Sequence, residues 1–308
     1  MNTSTKVIAV CVLLLSMLVA GCGSGQAVEP TITPRPTSTR TVIPTPINTP
    51  TPEPTAVLEI GSTNVSDKDG MTLVYVPEGE FKMGSENGQD MEKPTHTVYL
   101  DSFWVDRTEV TNAQYQRCVD AGACTPPLST RSFTRDSYYG SSLYADYPVI
   151  FIDWNQASDY CQWAGRRLPT EAEWEKAARG TDERIYPWGN QSPDLNYLNY
   201  DSTDDTTAVG SYPEGASPYG ALDMAGNVFE WVADWYGEGY YSSENDWTNP
   251  DGPSSGEVRV LRGGSWNTYF DFEVRSALRG RNDPSNRYDN VGFRCTRAAP
   301  ETGKATQK

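Results

Sequence analysis

A single histidine, His96, stands among 308 residues. A Ser/His/Asp or Cys/His pair is therefore confined to sites His96 can reach, and a zinc or iron centre built on two or three imidazoles is excluded. Thiols are better supplied. Of six cysteines, Cys11 and Cys22 fall in the N-terminal leader, leaving Cys118, Cys124, Cys161 and Cys295. An even number in an exported chain points to two disulfides. Cys118 and Cys124 lie on a helix end and in the turn beyond Gly122, which suits a local bridge, and Cys161 and Cys295 would then close a loop of over 130 residues. The competing chemistry is a nucleophilic or metal-binding thiol, for which no unpaired cysteine is left over. Carboxylates dominate the charge, with 41 Asp+Glu against 25 Lys+Arg and a formal net charge of −16. That balance does not suit nucleic acid, whose phosphates call for Lys and Arg, and it is compatible with calcium, which takes oxygen ligands. Asp271, Glu273 and Asp283 offer carboxylates, but their spacing identifies no acid/base pair.

These residues must be positioned by short elements. Alternation in 72–76 and 97–100 predicts strands. Thr111 with Gln114 forms a capping box that opens a helix over 112–121, with Gly122 as its stop. Asn155 is read as the cap of a second helix passing through Cys161 and Trp163 and closing at Gly165. Thr170 with Glu173 caps a third, which runs to Arg179 and stops at Gly180. Beyond it the chain is rich in Gly, Pro, Asn and Asp, with brief strands such as 258–261, so most of the domain is expected to be irregular. Nine Trp and 18 Tyr nevertheless supply a large apolar area for a core.

The N-terminus reads as an address. Lys6 precedes an apolar run over 7–19, shorter than the roughly 20 residues a spanning helix needs. It ends in Val19-Ala20-Gly21-Cys22, which resembles the bacterial lipobox, so residues 1–21 are expected to be a lipoprotein signal peptide and Cys22 the lipidated residue. Residues 29–55 hold eight Pro and nine Thr, a composition that cannot bury enough apolar surface to offset ordering. Residues 22–56 are therefore expected to form a lipid-anchored, extracytoplasmic stalk, 57–298 one folded domain, and 299–308 a disordered tail.

Within 57–298 the sequence resembles the formylglycine-generating enzyme (sulfatase-modifying factor) family. The resemblance rests on 76–85 (VPEGEFKMGS), 110–112 (VTN), 167–175 (RLPTEAEWE), 186–190 (YPWGN), 219–231 (YGALDMAGNVFEW), 262–266 (RGGSW) and 292–295 (GFRC), in family order over about 220 residues. It implies an α+β fold, a loop-rich variant of the C-type lectin fold with short helices and short strands, and it also implies the bridge between Cys161 and Cys295. Catalytic members bind copper through two cysteines after the Gly-Gly-Ser segment and oxidise a substrate cysteine to formylglycine. Here residues 266–273 read WNTYFDFE, no cysteine occurs between Gly264 and Cys295, the neighbouring histidine is missing, and Phe229 replaces a family tryptophan. Copper is not expected. An iron-dependent branch of the family uses histidines from a separate helical bundle, and this chain has neither.

The resemblance further implies structural calcium at two places. One would use Asp223, the carbonyls of Gly226 and Val228, and Glu230, an oxygen set that suits this ion. The other would use Asn199, Tyr200 and a downstream acid, taken as Asp204 over Asp201 and Asp205. His96 is read as a packing or surface residue. With the oxidase thiols gone, the expected function is a binding or scaffold module for an extracytoplasmic peptide, protein or glycan. Phe229, Ser265, Trp266, Thr268, Tyr269 and Glu273 would line its cleft. The alternative is a divergent enzyme acting on a peptide or cell-wall material there. The tract 267–290 resembles the ligand-facing region of retroelement-diversified surface proteins of this fold.

Overall fold

The computed structural model describes residues 57–201, 204–243 and 246–300. The leader, the lipobox cysteine, the whole of the stalk and residues 301–308 lie outside the described residues. Strands β1 (Thr63–Val65), β2 (Thr72–Val76), β3 (Gly79–Met83), β4 (His96–Leu100) and β5 (Phe103–Asp106) come first in the chain. Helices α1 (Asn112–Asp120), α2 (Trp154–Trp163) and α3 (Glu171–Arg179) follow, then β6 (Phe229–Trp235), β7 (Arg259–Arg262), β8 (Gly280–Asn282), β9 (Val291–Phe293) and β10 (Thr296–Ala298). They build an antiparallel sheet in the order β1-β2-β5-β10, the hairpin β3-β4, and a mixed sheet in the order β8-β7-β6-β9 whose β6–β9 pair is parallel. The first and last strands thus share one sheet, and short elements joined by long loops carry the rest, as the α+β, loop-rich expectation had it.

The capping signals hold for α1 and α3: Thr111 with Gln114, and Thr170 with Glu173, form reciprocal capping boxes. Helix α2 corrects the reading. Its cap is Asp153, two residues before Asn155, with Gln156 closing the box. The Asp153 carboxylate also pairs with Arg287, so this cap ties α2 to the C-terminal part of the chain as well.

Two apolar clusters fill the interior. One gathers Val76, Phe81, Leu100 and Phe103 from the first strands with Trp174 of α3 and Val232 and Val260. The other packs Tyr115 and Tyr160 of α1 and α2 against Trp231, Phe293 and both pairs of cysteines. The cysteines form the bridges Cys118–Cys124 and Cys161–Cys295. The short bridge closes the turn after α1, and the long one fastens α2 to the chain between β9 and β10.

Helix α3 is buried at all nine residues although five are charged. Glu171 meets Arg262 and Arg279, and Glu175 meets Arg262 and Arg179. Lys176 donates to the Pro77 and Gly79 carbonyls at 2.8 Å each, and burial pulls its pKa down to about 8.

Two outcomes follow for stability. Loss of the 134-residue bridge (Cys161→Ser with Cys295→Ser) is expected to cost about 5 kcal/mol, and loss of the six-residue bridge (Cys118→Ser with Cys124→Ser) about 2 kcal/mol, on loop-closure entropy. Urea unfolding checks the order. Lys176 is protonated more readily in the unfolded chain than in the folded one, so between pH 8 and about 10 stability rises with pH. Lys176→Met should remove that component of the slope in denaturant titrations across the same window.

Candidate functional site

The segment after β7 begins with two left-handed glycines, Gly263 (φ 93°) and Gly264 (φ 74°). At Gly264 a Cβ would stand 2.8 Å from Val274 Cγ1 and 3.0 Å from the Glu273 carbonyl, so the two limbs of the loop approach as only glycine permits. Arg262, fully buried, closes the base. Its guanidinium donates to the Ser276 carbonyl at 2.6 Å while held by Glu171 and Glu175. Residues 263–276 therefore form a compact loop with its ends pinned together, of the kind that carries function on a rigid scaffold.

Inside this loop the sequence-predicted cleft residues separate into a buried floor and an exposed rim. Ser265, Trp266 and Thr268 are buried. The Ser265 N–H donates to Thr268 Oγ1 and the Thr268 N–H returns a bond to the Ser265 carbonyl, 3.0 Å each. Ser265 Oγ donates to Asn267 Oδ1 at 2.7 Å, and Asn290 Nδ2 donates to the same oxygen at 3.0 Å. Trp266 Nε1 donates to the Asp289 carbonyl, and Phe133, from the segment after α1, lies over the indole at 5.1 Å. Trp266 is therefore covered. Phe229 is half-buried and packs with the α1–α2 cluster. Tyr269 is on the rim, 67% exposed, and Glu273 accepts from the Phe270 N–H.

Three residues missed from sequence complete the rim. Phe270 and Phe272 are exposed and stack on each other at 5.5 Å, and Phe133 is exposed as well. The run Tyr269-Phe270-x-Phe272 was itself a signal, because three aromatics in four residues of a polar loop have no core to enter. Phe133 carried none, since its place depends on the path of a long irregular segment.

Away from this loop, His96 sits against Tyr241 and Trp247, with Nδ1 3.1 Å from the Pro94 carbonyl and its pKa lowered by burial. It is a packing residue. The expected calcium residues lie on the other side of the Gly263 turn. Asp223 adopts a left-handed backbone, and its carboxylate accepts from the Gly210 N–H. Gly226 is packed so that a Cβ would meet the Asn199 carbonyl at 2.4 Å. Both Glu230 oxygens are engaged, by Arg294 and by Trp174 Nε1 at 2.7 Å. Glu109 joins the group unforeseen. It is fully buried, its Oε1 accepts from Asn227 Nδ2, and its Oε2 has no partner. Burial and the neighbouring Asp223 push the Glu109 carboxyl well above its ordinary range, so without added positive charge this group is held neutral. The donor set is all oxygen and fits a hard cation, although among the described residues no three His, Cys, Asp or Glu side chains converge as a metal-binding group. In the second tract Asn199 Nδ2 donates to the Asp205 carbonyl and Tyr200 bonds the Pro193 carbonyl. Asp204 is exposed there, whereas Asp205 is buried and held by Arg135, Ser132 and Thr134.

Comparison with known proteins matches this arrangement. Residues 61–299 match the family described as the sulfatase-modifying factor enzyme 1-like domain. The formylglycine-generating enzyme of Streptomyces coelicolor is 34% identical over 295 residues, covering 74% of this chain and 90% of that protein. The serine/threonine-protein kinase pkn1 of Chlamydia caviae is 39% identical over 246 residues, covering 73% of this chain, but the match spans only 38% of the kinase. Among solved structures, PvdO from Pseudomonas aeruginosa superposes with a TM-score of 0.67 at 26% identity, covering 79% of this chain and all of that one. From the matched residues, the ordered motifs and the fold together, the chain belongs to the sulfatase-modifying factor, or formylglycine-generating enzyme, family.

Proposed function

We propose that this chain is a lipid-anchored, extracytoplasmic member of the family that binds a peptide, protein or glycan and does not carry out the copper-dependent oxidation. One observation carries the reading. All four cysteines of the folded domain are consumed in disulfides, and the loop that follows Gly264-Ser265 offers aromatic and amide side chains where thiolates would be needed. Copper(I) demands soft sulfur ligands, and a disulfide sulfur is not a thiolate. The residues do not fit that metal. What the pinned loop does present is a rigid rim of exposed aromatic rings, large in contact area and low in conformational freedom, which is the composition that recognition surfaces favour. Signal, lipobox and Pro/Thr-rich segment support display of that rim away from a membrane.

The test is incubation of the purified protein with Cu(I), oxygen and a sulfatase-type cysteine peptide, read by mass spectrometry. The expected result is no cysteine-to-aldehyde conversion above a no-protein control. Conversion would overturn the reading. On peptide and glycan arrays, binding is expected to fall at least tenfold in the Phe270→Ser, Phe272→Ser double variant.

Calcium belongs to the same proposal as a brace. Asp223, the carbonyls of Gly226 and Val228, and the carboxylate of Glu109 would hold it, with Glu230 already taken by Arg294 and Trp174, and the ion would supply the positive charge this buried corner lacks. The second tract, Asn199, Tyr200 and Asp204, is left out of the proposal because Asp204 is exposed and the buried acid beside it, Asp205, is already paired with Arg135. Chelation by EGTA is expected to lower Tm by several degrees, and calcium to restore it, as for any ligand that binds only the folded state. An unchanged Tm in EGTA, or a full response in Asp223→Asn, would count against the brace.

A further inference from the structure

The protein's one imidazole, His96, lies beneath a strap that covers the outer edge of a hairpin. On its inner edge β4 pairs with β3, Met83 opposite His96 and Gly79 opposite Leu100. On its outer edge it meets residues 247–249. The Tyr99 N–H donates to the Trp247 carbonyl at 2.9 Å, the Asn249 N–H donates to the Tyr99 carbonyl at 2.8 Å, and Thr248 stands beside Tyr99 in a parallel bridge. The Asn249 side chain accepts from the Asp101 N–H at 2.8 Å and donates to the Asp101 carboxylate at 3.0 Å. Tyr241, from the short turn Tyr240–Ser242, belongs to the first apolar cluster, and Tyr240 and Trp247 pack against it.

Those rings rest on His96. Its ring centre is 4.0 Å from that of Trp247 and 4.5 Å from that of Tyr241. Nδ1 faces the Pro94 carbonyl at 3.1 Å and so carries the proton of the neutral ring, while Nε2 is buried without a hydrogen-bond partner. A second proton has only Nε2 to bind. It would place a full charge, and a donor with no acceptor, between two aromatic rings.

The charges that face the ring do not make up for this. Glu171 and Glu175 of α3 attract a cation there, but both are committed to arginines: Glu171 to Arg262 and Arg279, Glu175 to Arg262 and Arg179. Arg279, whose guanidinium lies over Tyr241 at 4.1 Å, repels one. From β3 the residue opposite is Met83, and burial keeps the Tyr241 phenol neutral. Burial, with Arg279, outweighs the Pro94 carbonyl and the two glutamates and holds the imidazole pKa below its ordinary value.

We propose that protonation of His96 in mildly acidic solution releases this strap: Tyr241 and Trp247 lift from the ring, and the Tyr99 N–H and carbonyl are uncovered at the outer edge of β4. An uncovered edge of this kind is a template for a further strand. Linkage sets the direction. With the strap open the ring meets water and titrates near the ordinary value of about 6.5, so below that pH the open state binds more protons than the closed one. Closing therefore weakens as pH falls, by at most about tenfold per pH unit for one site. The release is independent of the binding reading above.

The experiment uses the full-length protein in detergent, labelled with 13C-histidine. A lone histidine gives a single imidazole signal, whose shift is followed by NMR as the pH is lowered. Hydrogen exchange at the Tyr99 and Asn249 amides, corrected for the intrinsic pH dependence of exchange, is read at pH 6.5 and pH 5. The expected result is a midpoint below the ordinary 6.5 and an exchange rate at least threefold higher at pH 5. In His96→Phe, which keeps a ring and takes no proton, the rise should vanish. A midpoint at or above 6.5 would mean that the indole face and the two glutamates hold an imidazolium in place, and would overturn the inference. Unchanged exchange between the two pH values would do the same, as would an equal rise in His96→Phe. The NMR midpoint is read on the native chain, so the inference stays open to refutation even where that variant does not fold.

Discussion

The constraint on which the rest depends is the burial of Arg262. Its guanidinium has no exposure, yet it joins three parts of the molecule: Glu171 and Glu175 on helix α3, strand β7 that carries it, and the Ser276 carbonyl at the far end of the aromatic loop. Taking such charges out of water is expensive, and removing one partner from a buried pair typically costs about 3–5 kcal/mol because the other is stranded. The network is therefore better understood as specifying than as stabilising. A helix with five charged residues in nine can be buried all round only where each acid and Arg179 meets its counterpart and Lys176 meets backbone carbonyls, so α3 fits one position and orientation. With α3 placed, Arg262 is placed, and the loop from Gly263 to Ser276 has its base fixed.

A second buried pair repeats the device beside it. Arg294 lies between β9 and β10 and holds both oxygens of Glu230 on β6, along with the Leu222 carbonyl. Arg166, Asp69 and Asp106 do the same under the N-terminal sheet, where Tyr160 adds its hydroxyl to Asp69. Burial works against the Asp69 carboxylate, but Arg166 and Tyr160 more than compensate and hold its pKa below the ordinary value. The irregular chain between elements is thus held by guanidiniums reaching carbonyls and carboxylates that no sheet satisfies, and by the bridge at Cys295 directly after Arg294. Where regular secondary structure is scarce, side chains take over the pairing of buried backbone groups.

Much of this was legible in the residues, and what was not has a physical reason. Capping boxes are local, so α1 and α3 were read correctly; α2 was misread because Asp153 and Asn155 are both good caps and only the fold, through Gln156 and Arg287, decides between them. The pairing of the cysteines followed from their number and from the helix turn between Cys118 and Cys124. The division of the cleft into floor and rim was not legible. Trp266 and Tyr269 are alike as sequence, and what buries the first is Phe133, which lies more than a hundred residues earlier on a segment without periodicity. Glu109 was invisible for the same reason. A carboxylate in an acidic chain is ordinarily a solvated one, and only burial turns it into a demand for positive charge.

The separation of framework from rim explains how a member of this family keeps its fold without the family's thiolates. None of the buried arginine pairs involves the positions 267–273, and those positions make no contribution to either large apolar cluster. The loop's shape is set by Gly263, Gly264, Arg262 and the Ser265–Thr268 turn, all of which are retained whatever side chains the rim displays. Substitution at 269, 270 and 272 costs little stability, because those rings face solvent and leave no cavity or stranded charge. A rim free to vary on a base that cannot move is the arrangement in which chemistry is easily lost and recognition easily gained.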